Sequence, residues 1–93
     1  MNRNDHFSSK AARIATEEKL LELAAIKPST VAGALLQNPE IFRELGNELA
    51  TAILLSLIDR GQAEALRQLL GRKAIGRRKS ELLAELLLRY SFR

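Results

Sequence analysis

The sequence predicts an all-α fold, a compact bundle of four to five short helices. Three features support this prediction: alanine and leucine dominate the 93 residues, β-branched and aromatic residues are few, and the 5 glycines and 2 prolines occur only at intervals. We expect residues 1–8 to form a disordered N-terminal tail and residues 9–93 to form a single helical domain.

The first helix is expected to begin at Ser8 or Ser9, because a serine side chain can accept a hydrogen bond from a free backbone N–H group of the first turn. Thr16, which two glutamates follow, is a second possible start, since acidic residues favour the positive end of the helix dipole. It is expected to end near Ile26, since Pro28 pushes the residue before it out of the helical conformation. Its apolar stripe is expected to comprise Ile14, Leu21 and Ala25, and three further apolar residues lie beside the stripe: Leu20, Leu23 and Ala24.

A short second helix is expected next, capped by Ser29 or Thr30 and ending near Gln37. The dipeptide Asn38-Pro39 is the clearest helix boundary in the sequence, because asparagine is a common N-cap and proline suits the first helical position. The third helix is expected to start there and to run without a break until Gly61 stops it.

The second half of this third helix is apolar over more than half of its circumference, so several sides of it must be covered. One interpretation makes it the central helix of the fold, and the other makes it the seam of a homodimer. Two-fold dimers are the commonest oligomers, and we expect a homodimer here. The expected interface residues are Ile53, Leu54, Leu55, Leu57 and Ile58, together with Leu88 of the last helix.

Two further helices are expected near the C-terminal end. The fourth covers residues 62–70, with Gly71 as its stop, and the last covers residues 81–90, with Ser80 as its cap. The residues between them, 71–79, are expected to form a basic connector in which Gly71 and Gly76 would allow a close approach to a nucleic-acid backbone.

Positive charge is concentrated in and beside this connector. Residues 1–66 hold 7 Lys and Arg against 9 Asp and Glu, whereas residues 67–93 hold 8 against 2. Clustered bases create a local positive field, and Lys and Arg bind nucleic acids by neutralising backbone phosphates. The sequence therefore predicts a small regulator or accessory protein that binds nucleic acid, DNA in preference to RNA. The expected nucleic-acid-binding residues are Arg67, Arg72, Lys73, Arg77, Arg78 and Lys79.

Two alternatives remain open for the same residues. In one, the protein is an adaptor or inhibitor that docks on a larger protein or ribonucleoprotein, and the bases steer it toward an acidic surface. In the other, the connector is a solvated linker and its charge only aids solubility. Tyr90 and Phe92 are the only aromatic residues nearby, which favours backbone contacts with a duplex over base stacking on a single strand.

No arrangement of residues predicts catalysis. His6, the only histidine, lies in the polar tail, where it cannot be held against a substrate. Glu44 and Glu48 are four residues apart and could share a metal ion, but an exposed polar helix face explains them better. The sequence also lacks a glycine elbow and a phosphate-binding loop. We therefore expect no enzymatic activity, cofactor, metal ion or small-molecule substrate.

The composition also bears on the compartment. The chain has no cysteine, which excludes disulfides and cysteine-based zinc sites. The residues after Met1 are too polar for a signal peptide, and the longest apolar stretch, Leu49–Ile58, is too short to span a bilayer. Tryptophan, which favours membrane surfaces, is absent. The sequence therefore predicts a soluble, cytoplasmic protein without membrane contacts.

Residues 15–24 and 29–32 resemble the helix-turn-helix of LacI-type repressors, and Asn38-Pro39-Glu40 extends the resemblance. The resemblance implies a recognition helix over residues 29–37 that reads DNA, yet that segment carries no charge with which to reach base edges. The sequence departs from the family pattern at three positions: Leu21, Ala25 and Pro28. We therefore interpret the segment as a packing motif.

Overall fold

The computed structural model describes residues 17–91 of the chain, and the predicted all-α fold is confirmed over this range. The expected disordered tail, the expected caps Ser8 and Ser9 and the second possible start at Thr16 lie outside the described residues, as does Phe92. The described elements are α1 (17–26), α2 (Pro28–Gln37), α3 (Pro39–Glu44), α4 (Asn47–Asp59), α5 (Ala63–Leu70), a 3-10 turn (Lys73–Ile75) and α6 (Gly76–Tyr90).

Both prolines begin helices, because their fixed φ angle suits the first helical turn, where the missing N–H group costs nothing. Pro28 is the first residue of α2, so that the single residue Lys27 separates it from α1. The prediction that Ser29 or Thr30 caps this helix is therefore wrong, since both lie inside it. Pro39 begins α3 as predicted, although the Asn38 side chain makes no capping hydrogen bond.

The expected continuous helix between Asn38 and Gly61 is in fact two helices. Leu45 and Gly46 have extended backbone conformations, with ψ angles of 145° and 152°, and they separate α3 from α4. Glycine is a poor helix former, while Leu45 is buried and anchors the corner in the core. The break ends α3 at Glu44 and leaves its C-terminal turn free to approach α6.

A single hydrophobic core receives residues from every described helix and from the 3-10 turn. Helix α4 is its central element, because Ile53, Leu54 and Leu57 are completely buried. These three residues are therefore wrong as predicted dimer contacts, since a second copy cannot reach them in the folded chain. Of the other predicted contacts, Leu55 and Ile58 are half-buried against the core, and Leu88 is 75% exposed.

Two details of the core differ from the sequence prediction. Phe42 of α3 is fully buried although the sequence did not mark it as a core residue. In α1 the buried alanine is Ala24, whereas Ala25 is exposed. The carbonyl oxygen of Ala25 accepts a hydrogen bond of 3.2 Å from Nε of Arg60, which joins the end of α1 to the end of α4.

The expected basic connector over residues 71–79 is mostly helical. After Gly71 and Arg72 the chain enters the 3-10 turn, and α6 begins at Gly76. Gly76 has a φ of 83° and a ψ of 165°, a conformation essentially restricted to glycine. The α6 helix starts earlier than predicted, so Ser80 lies within it and is not its cap.

Among the helices that the structure describes, none combines the length and the apolar character that crossing a membrane requires.

Candidate nucleic-acid interface

Four of the six predicted binding residues lie together around the start of α6. Arg72 and Lys73 precede the helix, Arg77 and Arg78 belong to its first turn, and all four side chains are exposed. Because consecutive helical residues point about 100° apart, Arg77 and Arg78 face different sides of α6. The short 3-10 turn keeps the other two cations beside them.

These cations have almost no neutralising partners. Nε of Arg77 lies 3.7 Å from Oε2 of Glu81, in an exposed pair that stabilises little. Within residues 17–91, no ion pair or side-chain hydrogen bond involves Arg72, Lys73 or Arg78. The surface at the start of α6 therefore keeps nearly its full positive charge.

Arg43, which the sequence did not single out, extends this surface. A Cβ atom built on Gly76 would lie 3.8 Å from Cγ of Arg43 and 3.9 Å from its Nε, so the Arg43 side chain lies directly against the start of α6. Arg43 precedes Gly76 by more than thirty residues, and no local pattern links the two. We call the exposed cations Arg43, Arg72, Lys73, Arg77 and Arg78 the basic surface.

Lys79 differs from the prediction, which placed it in an exposed connector. Its side chain is only 7% exposed, and Nζ donates a hydrogen bond of 3.2 Å to the main-chain carbonyl oxygen of Arg43. A lysine that donates to the last carbonyl groups of a helix stabilises its C-terminus. Lys79 thus joins α6 to the end of α3 and holds the backbone of Arg43 in place.

Arg67 lies apart from the other predicted binding residues. Its Nη1 atom lies 2.9 Å from Oε1 of Glu64, and its Nη2 atom donates a hydrogen bond of 3.5 Å to Oγ of Ser91. Ser91 follows the last residue of α6, about 22 Å from Gly76 at the helical rise per residue. Arg67 therefore lies near the opposite end of α6 from the basic surface.

Two grooves flank the start of α6, and both include Gly76 and Arg77. The larger, of about 630 Å³, lies between the end of α3 and the starts of α4 and α6. The smaller, of about 250 Å³, lies on the side of Arg72 and Lys73. Neither Phe42 nor Tyr90, the aromatic residues between 17 and 91, lines either groove. A third groove, of about 680 Å³, lies at the C-terminal end of α6 and contains none of the basic surface.

The structure does not assemble a metal site from the residues it describes: between residues 17 and 91, no three Asp, Glu or His side chains lie close enough to hold a metal ion. Glu44 ends α3 whereas Glu48 belongs to the first turn of α4. The helix break therefore removes the one-turn spacing from which the sequence suggested a shared metal.

The helix pair that resembles a repressor motif has a different geometry. The single residue Lys27 separates α1 from α2, whereas a helix-turn-helix uses a turn of three to four residues. Val31, Ala32 and Leu35 of α2 are buried in the core.

No family model matches this chain, and neither curated proteins nor solved structures give a significant match.

Proposed function

We propose that this protein is a small non-enzymatic regulator or accessory protein that binds duplex DNA by contacting the phosphate groups of the DNA backbone. One observation supports this most strongly: five exposed cations from three separate elements converge at the start of α6, and only one has a carboxylate partner in the described chain. A cluster of this kind attracts the most densely charged anions in a cell.

The chemistry of the basic surface suits phosphate. Duplex DNA carries one negative charge per about 1.7 Å of axis, and each phosphate that a protein neutralises releases condensed counterions. Four of the five cations are arginines, whose planar guanidinium can donate two parallel hydrogen bonds to one phosphate. The affinity then depends on charge and spacing and needs no contact with base edges.

The described aromatic residues favour a duplex over a single strand. Phe42 is fully buried, and Tyr90 lies at the C-terminal end of α6, away from both basic grooves. Proteins that hold single strands gain about 1–3 kcal/mol for each base stacked on an aromatic ring. The basic surface offers no such ring, so that duplexes, with their higher charge density, are the better ligands.

The test is fluorescence anisotropy with a labelled random duplex and the matching single strand, at low salt. A variant with glutamine at Arg72, Lys73, Arg77 and Arg78 should lose at least tenfold in duplex affinity. Its matched control carries glutamine at four exposed cations outside the basic surface, Lys19, Lys27, Arg67 and Arg89, and should lose much less. An RNA duplex of the same sequence tests the preference for DNA.

Equal losses in the two variants would show that net charge alone drives binding, and the basic surface would then have no special role. If the native protein fails to bind any duplex, the proposal is wrong. Two interpretations of the basic surface then remain. One is an acidic protein partner, on which the protein docks as an adaptor or inhibitor, and the other is a solvated surface whose charge only aids solubility.

The homodimer stays a prediction, now resting on Leu55, Ile58 and Leu88. Leu55 and Ile58 line the groove at the C-terminal end of α6, and Leu88 points away from the core. A dimer would double the positive charge available to one duplex. Sedimentation equilibrium over a range of protein concentrations tests this prediction, and a monomer mass at all of them would contradict it.

A further inference from the structure

The larger basic groove is a meeting point of two helix N-termini. Gly46 and Asn47 line it from the start of α4, and the residues from Gly76 to Lys79 line it from the start of α6. The first N–H groups of a helix have no acceptor within the helix, and no side chain of residues 17–91 caps either helix. Both helices therefore direct partial positive charge into the same groove. We call it the α4–α6 groove.

An independent feature of this groove also indicates an anion. Lys79 lines the groove, its side chain is 93% buried, and no carboxylate within residues 17–91 forms an ion pair with it. An ammonium group has three N–H donors, and only one of them is used, in the hydrogen bond to the carbonyl oxygen of Arg43. An anion bound in the groove would supply the counter-ion that Lys79 lacks among the described residues.

The remaining lining residues reinforce the positive charge. Arg43, Arg77 and Arg78 border the groove, and no acidic residue of the described chain lines it. Glu48 lies in the first turn of α4 but is exposed and does not line the groove. At about 630 Å³ the groove is large enough for a phosphate group and part of the strand that carries it.

We propose that the α4–α6 groove is a specific binding site for one phosphate group of the bound nucleic acid, an inference that rests on the function proposed above. Lys79 donates to the phosphate from the base of the groove, and Arg43 and Arg77 donate from its rim. The free N–H groups at the starts of α4 and α6 complete the site. One phosphate is thereby held at a fixed position, and the exposed Arg72 and Lys73 contact its neighbours along the strand.

The test is a titration of the full-length ¹⁵N-labelled protein, followed by its backbone amide signals. Inorganic phosphate is the first probe, a short random duplex is the second, and sodium chloride at equal ionic strength is the control. We expect the amide signals of Asn47, Arg77 and Arg78 to shift and saturate with either probe. The signals of Arg67 and Arg89, near the far end of α6, should not move, and chloride should reproduce none of the saturable shifts.

Two variants of Lys79 test the role of the buried charge. Lys79→Met keeps the apolar stem without the ammonium group and should weaken phosphate binding at least tenfold, whereas Lys79→Arg should retain it. The amide spectrum without ligand shows whether each variant is folded. If Lys79→Met does not fold, Arg43→Gln replaces it, because Arg43 is exposed and its loss should also weaken the saturable binding.

The possible outcomes test the phosphate site and the proposed nucleic-acid binding separately. If the duplex shifts the amide signals of Arg72 and Lys73 but leaves that of Asn47 unchanged, the phosphate site is wrong and the proposal of nucleic-acid binding stands. If inorganic phosphate gives the saturable shifts and the duplex binds nowhere, the groove is a phosphate site and the nucleic-acid proposal is wrong. If neither probe shifts the amide signals of Asn47 and Arg77, the proposed phosphate site is wrong.

Discussion

At the scale of single residues, Gly76 determines how the basic surface is built. The sequence analysis gave Gly71 and Gly76 the same role in the expected connector, yet only Gly76 of the two has a positive φ, and Gly71 has an ordinary φ of −77°. The turn at Gly76 starts α6 immediately after the 3-10 turn, so that Arg72, Lys73, Arg77 and Arg78 stay together. Glycine at this position is therefore a structural requirement and not a source of flexibility.

Gly76→Ala should accordingly lower the free energy of unfolding by about 1–3 kcal/mol, because a Cβ atom is strained at this combination of φ and ψ. Gly33 provides the matched control, since it lies inside α2 with no atom near a built Cβ. Gly33→Ala should raise the free energy of unfolding by about 0.5–1 kcal/mol. Urea denaturation measures both changes, and equal effects of the two substitutions would contradict the structure.

The binding residues could be predicted only in part, because a run of bases in the sequence does not show where each side chain points. Arg72, Lys73, Arg77 and Arg78 are neighbours in sequence and stay neighbours in space. Lys79 lies on the side of α6 that faces the core and α3. Arg43 comes from a distant segment, and only tertiary packing brings it to the start of α6.

At the scale of helices, the boundaries marked by proline could be predicted, and the break at Gly46 could not. Leu45 and Leu49 continue the apolar face of the preceding residues, so the periodic pattern runs through the break without a sign of it. Proline restricts the backbone whatever its surroundings are, whereas a glycine within a helical pattern can be tolerated. Packing of Leu45 and Phe42 into the core favours the corner over a continuous helix.

The burial of α4 gives a direct comparison between two residues that the sequence assigned to one interface. Leu54 is fully buried, and Leu54→Ala should lower the free energy of unfolding by about 2–5 kcal/mol. Leu88 is 75% exposed, and Leu88→Ala should change the free energy of unfolding by less than about 0.5 kcal/mol. Chemical denaturation of the two variants at equal protein concentration measures both values. A large loss at Leu88 would show that a second copy or another segment covers it.

At the scale of the whole molecule, the cluster of exposed cations and the hydrophobic core occupy different parts of the domain. The apolar residues of all six described helices meet in one core, and five exposed cations, four of them without an ion pair in the described chain, gather at the start of α6. The sequence predicted the helical class and the location of the charge, because both follow from composition along the chain. It did not predict which apolar residues are covered, because the core of a small domain absorbs Ile53, Leu54 and Leu57 without a second copy.

As proposed above, the basic surface neutralises several phosphates at once, and the salt dependence of binding gives their number. Each neutralised phosphate contributes about −0.9 to the slope of log Kobs against log salt concentration, so five cations predict a slope near −4.5 at most. Each cation removed should flatten the slope by about 1.

The most direct measurement is therefore a salt titration of binding to a random DNA duplex. It would compare the native protein with the variant that carries glutamine at Arg72, Lys73, Arg77 and Arg78. The structure predicts a steep slope for the native protein and a nearly flat one for this variant, while the control variant at Lys19, Lys27, Arg67 and Arg89 keeps the steep slope. A native slope near zero, or the same slope in all three proteins, would contradict phosphate binding by the basic surface.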